Sequence, residues 1–392
     1  MLAGIYDPYL DTLGGGERYC LTVAEILAKH GYHVDVFWSG DSQILNKAQD
    51  RFSLNLKNIN LVPDIFDIPP QTINPIHNRH FLHRLIKHSH SYSKFDEKIK
   101  KMIQKFRITR QYDVFFFLSD GSSPFLFGKK NILHFQVPFS QETLTTWPLI
   151  KPIKTLFLAK IICNSQFTAK FIQPYFSKKI DVVYPPVDIT KFSPADNKKN
   201  LILSVGRFDN ILNAKKQDEL IDAFRHLVKI HRLANWNLIF AGGSLQQPTS
   251  NYFLQYLIKK SENLPIEFIV NPSFSQLKEL YSKGKIYWHA AGFGVDENSH
   301  PEETEHFGMT IVEAMASGLV PVAVAKGGIP EIIDDSINGF LWKSLKGLTS
   351  KTLRLIKDPK LFNQMQAKAL LKAKQFSKEN FEETFIRLVK IK

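Results

Sequence analysis

Along this chain, short runs of β-branched and aromatic residues alternate with longer stretches of helical spacing, the pattern of parallel α/β layers. The first series of predicted strands runs Ala3 to Tyr6, His33 to Trp38, Asn60 to Val62, Val114 to Leu118, Ile132 to Phe135, Ile161 to Asn164 and Asp181 to Tyr184. A second series begins with Leu201 to Val205 and continues through Trp236 to Ala241, Ile266 to Val270, Ile286 to His289 and Val320 to Ala323. Between them, Tyr184-Pro185-Pro186-Val187-Asp188 and the polar stretch Pro194 to Asn200 read as a linker. No repeat of solenoid period is visible. The expectation is two α/β halves with a cleft between them, one over residues 1–190 and one over 198–372. A length of 392 residues exceeds what one core serves, and 44% hydrophobic residues supply material for two.

Composition narrows the class. Cys20 and Cys163 both sit in apolar contexts, which speaks against a disulfide framework and for a reducing compartment. The start, Met1-Leu2-Ala3-Gly4-Ile5-Tyr6-Asp7, lacks the basic and apolar parts of a secretory leader, and no apolar run approaches about 18 residues. A cytoplasmic protein is expected, with peripheral attachment to the cytoplasmic face of a membrane as an option. The net charge of +14 asks for an acidic partner: a nucleotide diphosphate, anionic lipid head groups or nucleic acid. Nucleic acid is set aside, because the chain has no zinc-finger spacing, no RNP-type aromatic motif and no long basic tail. Part of the charge is local. From Arg79 to Arg110 basic residues interleave with apolar ones at helical spacing, giving either a helix resting on an anionic membrane or an ordinary surface helix packed by its apolar stripe. Histidines 77, 80, 83, 88 and 90 match no metal-ligand spacing, and no metal is expected.

The richest segment is Glu305-His306-Phe307-Gly308-Met309-Thr310-Ile311-Val312-Glu313, which sets two carboxylates, with seven residues between them, on either side of a turn that opens a helix. Free N–H groups at Gly308, Met309 and Thr310 would face a diphosphate at that helix start, and Gly308 lets the backbone come close. Glu313 can accept from a ribose diol and Glu305 from the sugar beyond the phosphates; alternatively Thr310-x-x-Glu313 is a capping box. Upstream, Ser204-Val205-Gly206-Arg207-Phe208 ends a strand and Lys215-Lys216 opens the next helix. Strand ends of an open parallel sheet point at the ligand crevice, where Arg207 and Lys215 can stabilise a leaving diphosphate. In the first half, Leu13-Gly14-Gly15-Gly16-Glu17-Arg18 precedes a predicted helix Tyr19 to Lys29, and Gly15 and Gly16 let a loop fold over phosphate or sugar oxygens. It lacks the third glycine of an NAD fingerprint. His134 ends a predicted strand, as either a site residue or a structural one. Ser165 reads as a helix cap, and Gly327-Gly328-Ile329-Pro330 as a helix start.

Together these motifs resemble family 4 of the retaining glycosyltransferases, which have the GT-B fold of two Rossmann-like domains. The Glu305-His306-Phe307-Gly308 form, preceded by Trp288-His289-Ala290-Ala291-Gly292-Phe293-Gly294-Val295-Asp296-Glu297, is similar to the mannosyltransferases of lipid-linked oligosaccharide assembly and their bacterial polysaccharide relatives. The resemblance implies a retaining, metal-independent hexosyltransferase with no cofactor. Its donor would be a nucleotide-diphosphate sugar, GDP-mannose over a UDP-hexose, and its acceptor a lipid-linked or polysaccharide glycan. A soluble sugar acceptor and a non-catalytic nucleotide- or glycan-binding scaffold are the alternatives. It assigns Glu305, His134, Arg207 and Lys215 to catalysis. To the donor it assigns Gly15, Gly16, Arg207, Lys215, Lys216, Phe307, Gly308, Met309, Thr310 and Glu313. It also implies that a helix at about 374–392 returns to the first domain. The family's commoner Lys-Gly pair is Lys215-Lys216 here, which leaves open which lysine meets the diphosphate.

Overall fold

The computed structural model describes residues 1–66, 92–119, 121, 123–139, 151–210, 214–233, 235–244 and 248–390. The five histidines from 77 to 90 lie outside them, as does the start of the basic segment. The chain forms two compact units, Met1–Tyr184 with Phe381–Lys392, and Pro185–Asn380.

In the first unit, β1 (Leu2–Tyr6), β2 (His33–Phe37), β3 (Ile59–Val62), β4 (Val114–Ser119), β5 (Lys130–Phe135), β6 (Leu158–Cys163) and β7 (Ile180–Val182) form a parallel sheet in the order 3-2-1-4-5-6-7. Its strands read as unbroken apolar runs because both faces are covered. In β4 the alternation is plain: Val114, Phe116 and Leu118 join the core under the Gly15–Lys29 helix, while Phe115 and Phe117 join the opposite core. The C-terminal helix Lys378–Val389 inserts Phe381, Phe385 and Val389, four residues apart, into the first of these cores. Phe381 meets Tyr19 edge-on at 4.9 Å and Phe385 meets Phe116 at 6.1 Å.

In the second unit, β8 (Leu201–Val205), β9 (Asn237–Gly242), β10 (Ile266–Val270), β11 (Ile286–His289), β12 (Val320–Val324) and β13 (Phe340–Trp342) are parallel in the order 10-9-8-11-12-13. The sequence reading misses β13, a three-residue edge strand with no β-branched residue to mark it. The stretch Pro194 to Asn200 is not a free linker either. Lys198 Nζ donates to the carbonyls of Ser282, Gly284 and Ser317 at 3.0, 2.7 and 2.9 Å, satisfying two helix C-termini. Where the chain leaves this unit, Val187 N–H donates to Phe376 O at 3.0 Å and Lys378 N–H to Val187 O at 3.1 Å, so both passages are pinned together.

Phe385 is fully buried. Phe385→Ala should therefore cost the first unit about 3–5 kcal/mol. Hydrogen exchange resolved by peptide should show the loss in β1, β4 and the Gly15–Lys29 helix; unchanged protection there would refute the packing role.

Candidate active site

In each sheet the strand order reverses once, between β1 and β4 in the first unit and between β8 and β11 in the second. Ligands of open α/β sheets bind outside the carboxyl ends of the strands at this point. In the second unit, the loop after β8 supplies Arg207 and Lys215, β11 ends on His289, and the segment after β11 brings Glu305.

Three of these meet. Lys215 Nζ lies 2.8 Å from Glu305 Oε2, with both side chains about 15% exposed, at 16% and 14%. His289 Nε2 lies 2.9 Å from the same oxygen. Burial by itself would raise the Glu305 carboxyl. The Lys215 charge and the neighbouring imidazole outweigh it and hold the group well below the usual carboxylate range. Nothing in the motif spacing marked His289; its place at a strand end beside the switch point was the available signal.

Close backbone approach makes the arrangement possible. Lys215 crosses over Gly206, where a Cβ would stand 2.7 Å from Lys215 Cγ. A Cβ on Gly242 would stand 1.9 Å from Gly206 O. Beneath Glu305, a Cβ at Gly327 would lie 2.2 Å from Glu305 O, and Gly328 N–H donates to that carbonyl at 2.8 Å. The Gly327-Gly328 pair thus carries the Glu305 turn, beyond starting a helix. Gly308 has φ +110°, a region open to glycine and strained for other residues.

The helix begins at Met309 with Gly308 as its N-cap, and no side chain caps it. Thr310 is already inside, so the Thr310–Glu313 capping box does not form. Glu313 is 6% exposed, and its Oε2 accepts from Tyr281 Oη at 3.1 Å; that hydroxyl also lies 3.3 Å from Thr310 O. Phe307 is buried, its ring edge-on to Phe376 at 5.3 Å. Lys216 is the N-cap of the Gln217–His231 helix with φ 53° and ψ 40°. The family's glycine at this position thus has a local reason, and the lysine pays left-handed strain. Between the two lysines, it is Lys215 that reaches Glu305. Arg207 is more than half exposed, with Asp209 Oδ2 at 3.7 Å from its Nε. Asp296 and Glu297 serve the loop: Asp296 accepts from Asn298 N–H and Ser299 Oγ, and Glu297 Oε2 from Gly327 N–H at 3.0 Å.

The first unit holds Gly15, Gly16 and His134. The two glycines form the first turn of the Gly15–Lys29 helix rather than a loop ahead of Tyr19, because Glu17 Oε2 accepts from Gly14 N–H at 2.5 Å and closes that turn. A Cβ at Gly16 would fall 2.5 Å from Gln136 Oε1, and Gln136 Nε2 donates to Gly16 O at 3.2 Å. Around them are acids: Asp7 is 1% exposed, and burial followed by the Glu17 charge pushes it up to about 8. His134 is wholly buried, stacked on Tyr19 at 4.1 Å, with Nδ1 3.3 Å from Ile162 O. Burial lowers its pKa to about 3. Ser165 Oγ accepts from Thr168 N–H at 3.0 Å, the expected cap.

Two tests follow. Lys215→Met leaves Glu305 buried beside a neutral side chain and should cost roughly 3 kcal/mol at neutral pH. The double change Lys215→Met/Glu305→Gln should recover most of it in denaturant melts, and a fully additive pair would deny the coupling. Because the folded Glu305 pKa is depressed, this stabilisation is present above about 4.5, its ordinary value, and is lost as pH falls through the folded value. For His134 the unfolded chain takes up a proton below about 6.5 that the folded chain refuses until about 3, so stability falls as pH drops through that window. His134→Phe should flatten the slope there; an unchanged slope would place the titration elsewhere.

Two family models match in succession, "Glycosyltransferase Family 4" over residues 13–191 and "Glycosyl transferases group 1" over 188–372. A GDP-Man:Man(3)GlcNAc(2)-PP-Dol alpha-1,2-mannosyltransferase of Dictyostelium discoideum is 27% identical over 250 residues, 60% of this chain and 47% of that protein. The chain thus spans about half the length of the first curated relatives it matches. A solved glycosyltransferase from Rickettsia africae superposes with TM-score 0.69 at 19% identity, over 99% of this chain and 97% of that one. Anabaena HepE, solved with UDP and glucose, gives 0.66 at 16% identity over 100% and 99%. With a GT-B fold and both halves matched, the chain belongs to family 4 of the glycosyltransferases.

Proposed function

We propose that this enzyme moves a hexose, with mannose favoured, from a nucleotide-diphosphate sugar to a lipid-linked or polysaccharide acceptor. The observation that carries the reading is the buried Glu305 carboxylate, kept charged by Lys215 at 2.8 Å beside the uncapped start of the Met309–Ala316 helix. A sugar hydroxyl donates to Glu305, and Lys215, Arg207 and the N–H groups of Met309 and Thr310 take the diphosphate. Glu313, oriented by Tyr281, accepts from the ribose. The anomeric C–O bond to the diphosphate breaks and a bond to the acceptor oxygen forms on the same face, the acceptor proton passing to the leaving phosphate. Lys215 and the helix start carry the charge that a divalent ion carries elsewhere, so no metal is required. In the first unit, the buried acids Asp7 and Glu17 near Gly15 and Gly16 suit sugar hydroxyls better than phosphate, which supports an acceptor role for that helix start. Mannose rests on the Glu-His-Phe-Gly form and on the named donor of the Dictyostelium relative.

A thermal-shift panel of GDP, UDP, ADP and dTDP with their sugar conjugates, run with and without chelator, tests this. GDP-mannose at a hundred times its Kd should add about 2.7 kcal/mol. The rise should survive chelation, an arm that matters because His300, Glu302 and Glu303 converge within 4.8 Å. Glu305→Ala should keep nucleotide binding and lose transfer by roughly 10²–10³. A UDP sugar as the sole stabiliser would replace mannose as the donor class. A folded protein that no nucleotide stabilises would favour a scaffold.

A further inference from the structure

Glu305 carries a requirement that Lys215 alone does not meet. The torsion that turns a glutamate carboxylate is a terminal sp³–sp² bond with a broad minimum, so partners, not the rotamer, set the plane of the group. Lys215 approaches on a flexible four-carbon stem as a point charge, which fixes a distance without fixing a plane. The second contact comes from His289, whose side chain is 2% exposed and whose Nε2 lies 2.9 Å from the same Oε2. At that separation a bare ring nitrogen would set its lone pair against the carboxylate, so the ring proton belongs on Nε2. Lys215 and His289 both face Oε2, which leaves Oε1 as the oxygen open to a ligand.

The imidazole is itself held. Tyr287, two residues earlier on the same face of β11, lies 17° from parallel with it at 6.3 Å, and Tyr281 of the Phe274–Lys283 helix follows at 6.2 Å from Tyr287. Both tyrosines are fully buried. Tyr287 Oη donates to Val205 O at 3.3 Å, tying the middle of this column to the end of β8. Tyr281 Oη donates to Glu313 Oε2 at 3.1 Å. One column of three buried rings therefore reaches both carboxylates of the motif, Glu313 from one end and Glu305 from the other. A histidine that only packs looks different: His134 stacks on Tyr19 and turns Nδ1 to a backbone carbonyl, Ile162 O at 3.3 Å.

We propose that His289 is a positioning residue for the transferred sugar: by sharing Oε2 with Lys215 it fixes the plane of the Glu305 carboxylate and presents Oε1 to a sugar hydroxyl. Precise placement of a binding group depends on such supporting contacts. His289 acts through Glu305, so its effect falls on the sugar and not on the nucleotide. The inference deepens the reading above and rests on it only in that Glu305 faces the sugar. The contact between His289 and Glu305 is present in the protein without ligand.

Two variants of the full chain separate this role from packing. His289→Asn ends its amide nitrogen near the place of Nδ1, short of Oε2, whereas His289→Gln carries one out to the place of Nε2. Each is titrated with GDP and with GDP-mannose, or with UDP and UDP-glucose where only that pair stabilises the parent. His289→Asn should weaken the sugar nucleotide about tenfold relative to the free nucleotide, and His289→Gln should return the ratio to within about twofold of the parent. In a Glu305→Ala background His289→Asn should change the ratio no further. Both ligands weakening together, Asn and Gln behaving alike, or a loss that persists without Glu305 would overturn the proposal. A ligand-free arm tells its failure from that of the donor reading. In denaturant melts, His289→Asn and Glu305→Gln should be non-additive, the double variant's folding constant departing about fivefold or more from the product of the single effects. Additive melts would overturn the proposal whichever nucleotide binds. Non-additive melts in a parent that no sugar nucleotide stabilises would keep His289 as the holder of Glu305 and overturn the donor reading instead.

Discussion

A carboxylate sealed from water stays charged only if a cation is brought to it, and the second unit is arranged around that requirement. Glu305 is mostly buried, and without Lys215 burial would push its proton back on. Lys215 starts from the other side of the strand-order reversal and must cross the end of β8 to reach it. That route exists because residue 206 has no side chain, and the β8 end can sit against β9 because residue 242 has none. The glycines at 206, 242, 308, 327 and 328 are therefore consequences of one ion pair and one tight turn.

The first unit repeats the topology with the opposite electrostatics. The segment after its first strand and the helix start that follows bury Asp7 and Glu17 where the second unit presents a lysine, and both acids are raised by burial before any other cause. Two sheets of the same plan thus carry different electrostatics at equivalent edges. His134, near the end of β5, is stacked on Tyr19 and closed from solvent.

Much of this was legible in the residues. Of the thirteen strands among the described residues, twelve announced themselves as apolar β-branched or aromatic runs; the missing one, Phe340–Trp342, has three residues and no β-branched side chain. Glu305 and Lys215 could be named from spacing because each sits at a strand end or helix start, positions that punctuation residues mark. His289 could not, since a histidine closing an apolar strand looks the same whether it touches a carboxylate or packs, as His134 does. The polar stretch around Lys198 misread as a linker for a related reason. Polarity signals solvent unless a fold supplies carbonyls, and two helix ends did so here.

Backbone strain points to the same places as the electrostatics. Leu13 and Lys216 both adopt left-handed conformations, with φ 46° and 53°, just before the helix that follows the first strand of each sheet. Each costs on the order of 1–2 kcal/mol that glycine would avoid. Buried ion pairs are poor stabilisers as well, since a well-packed apolar pair in place of Lys215 and Glu305 would serve stability equally or better. Strain at residue 216, a desolvated charge at 305 and a glycine-only conformation at 308 all gather on one edge of one sheet. Costs scattered by chance would not share an address, and what they share is the place where an open parallel sheet receives a ligand.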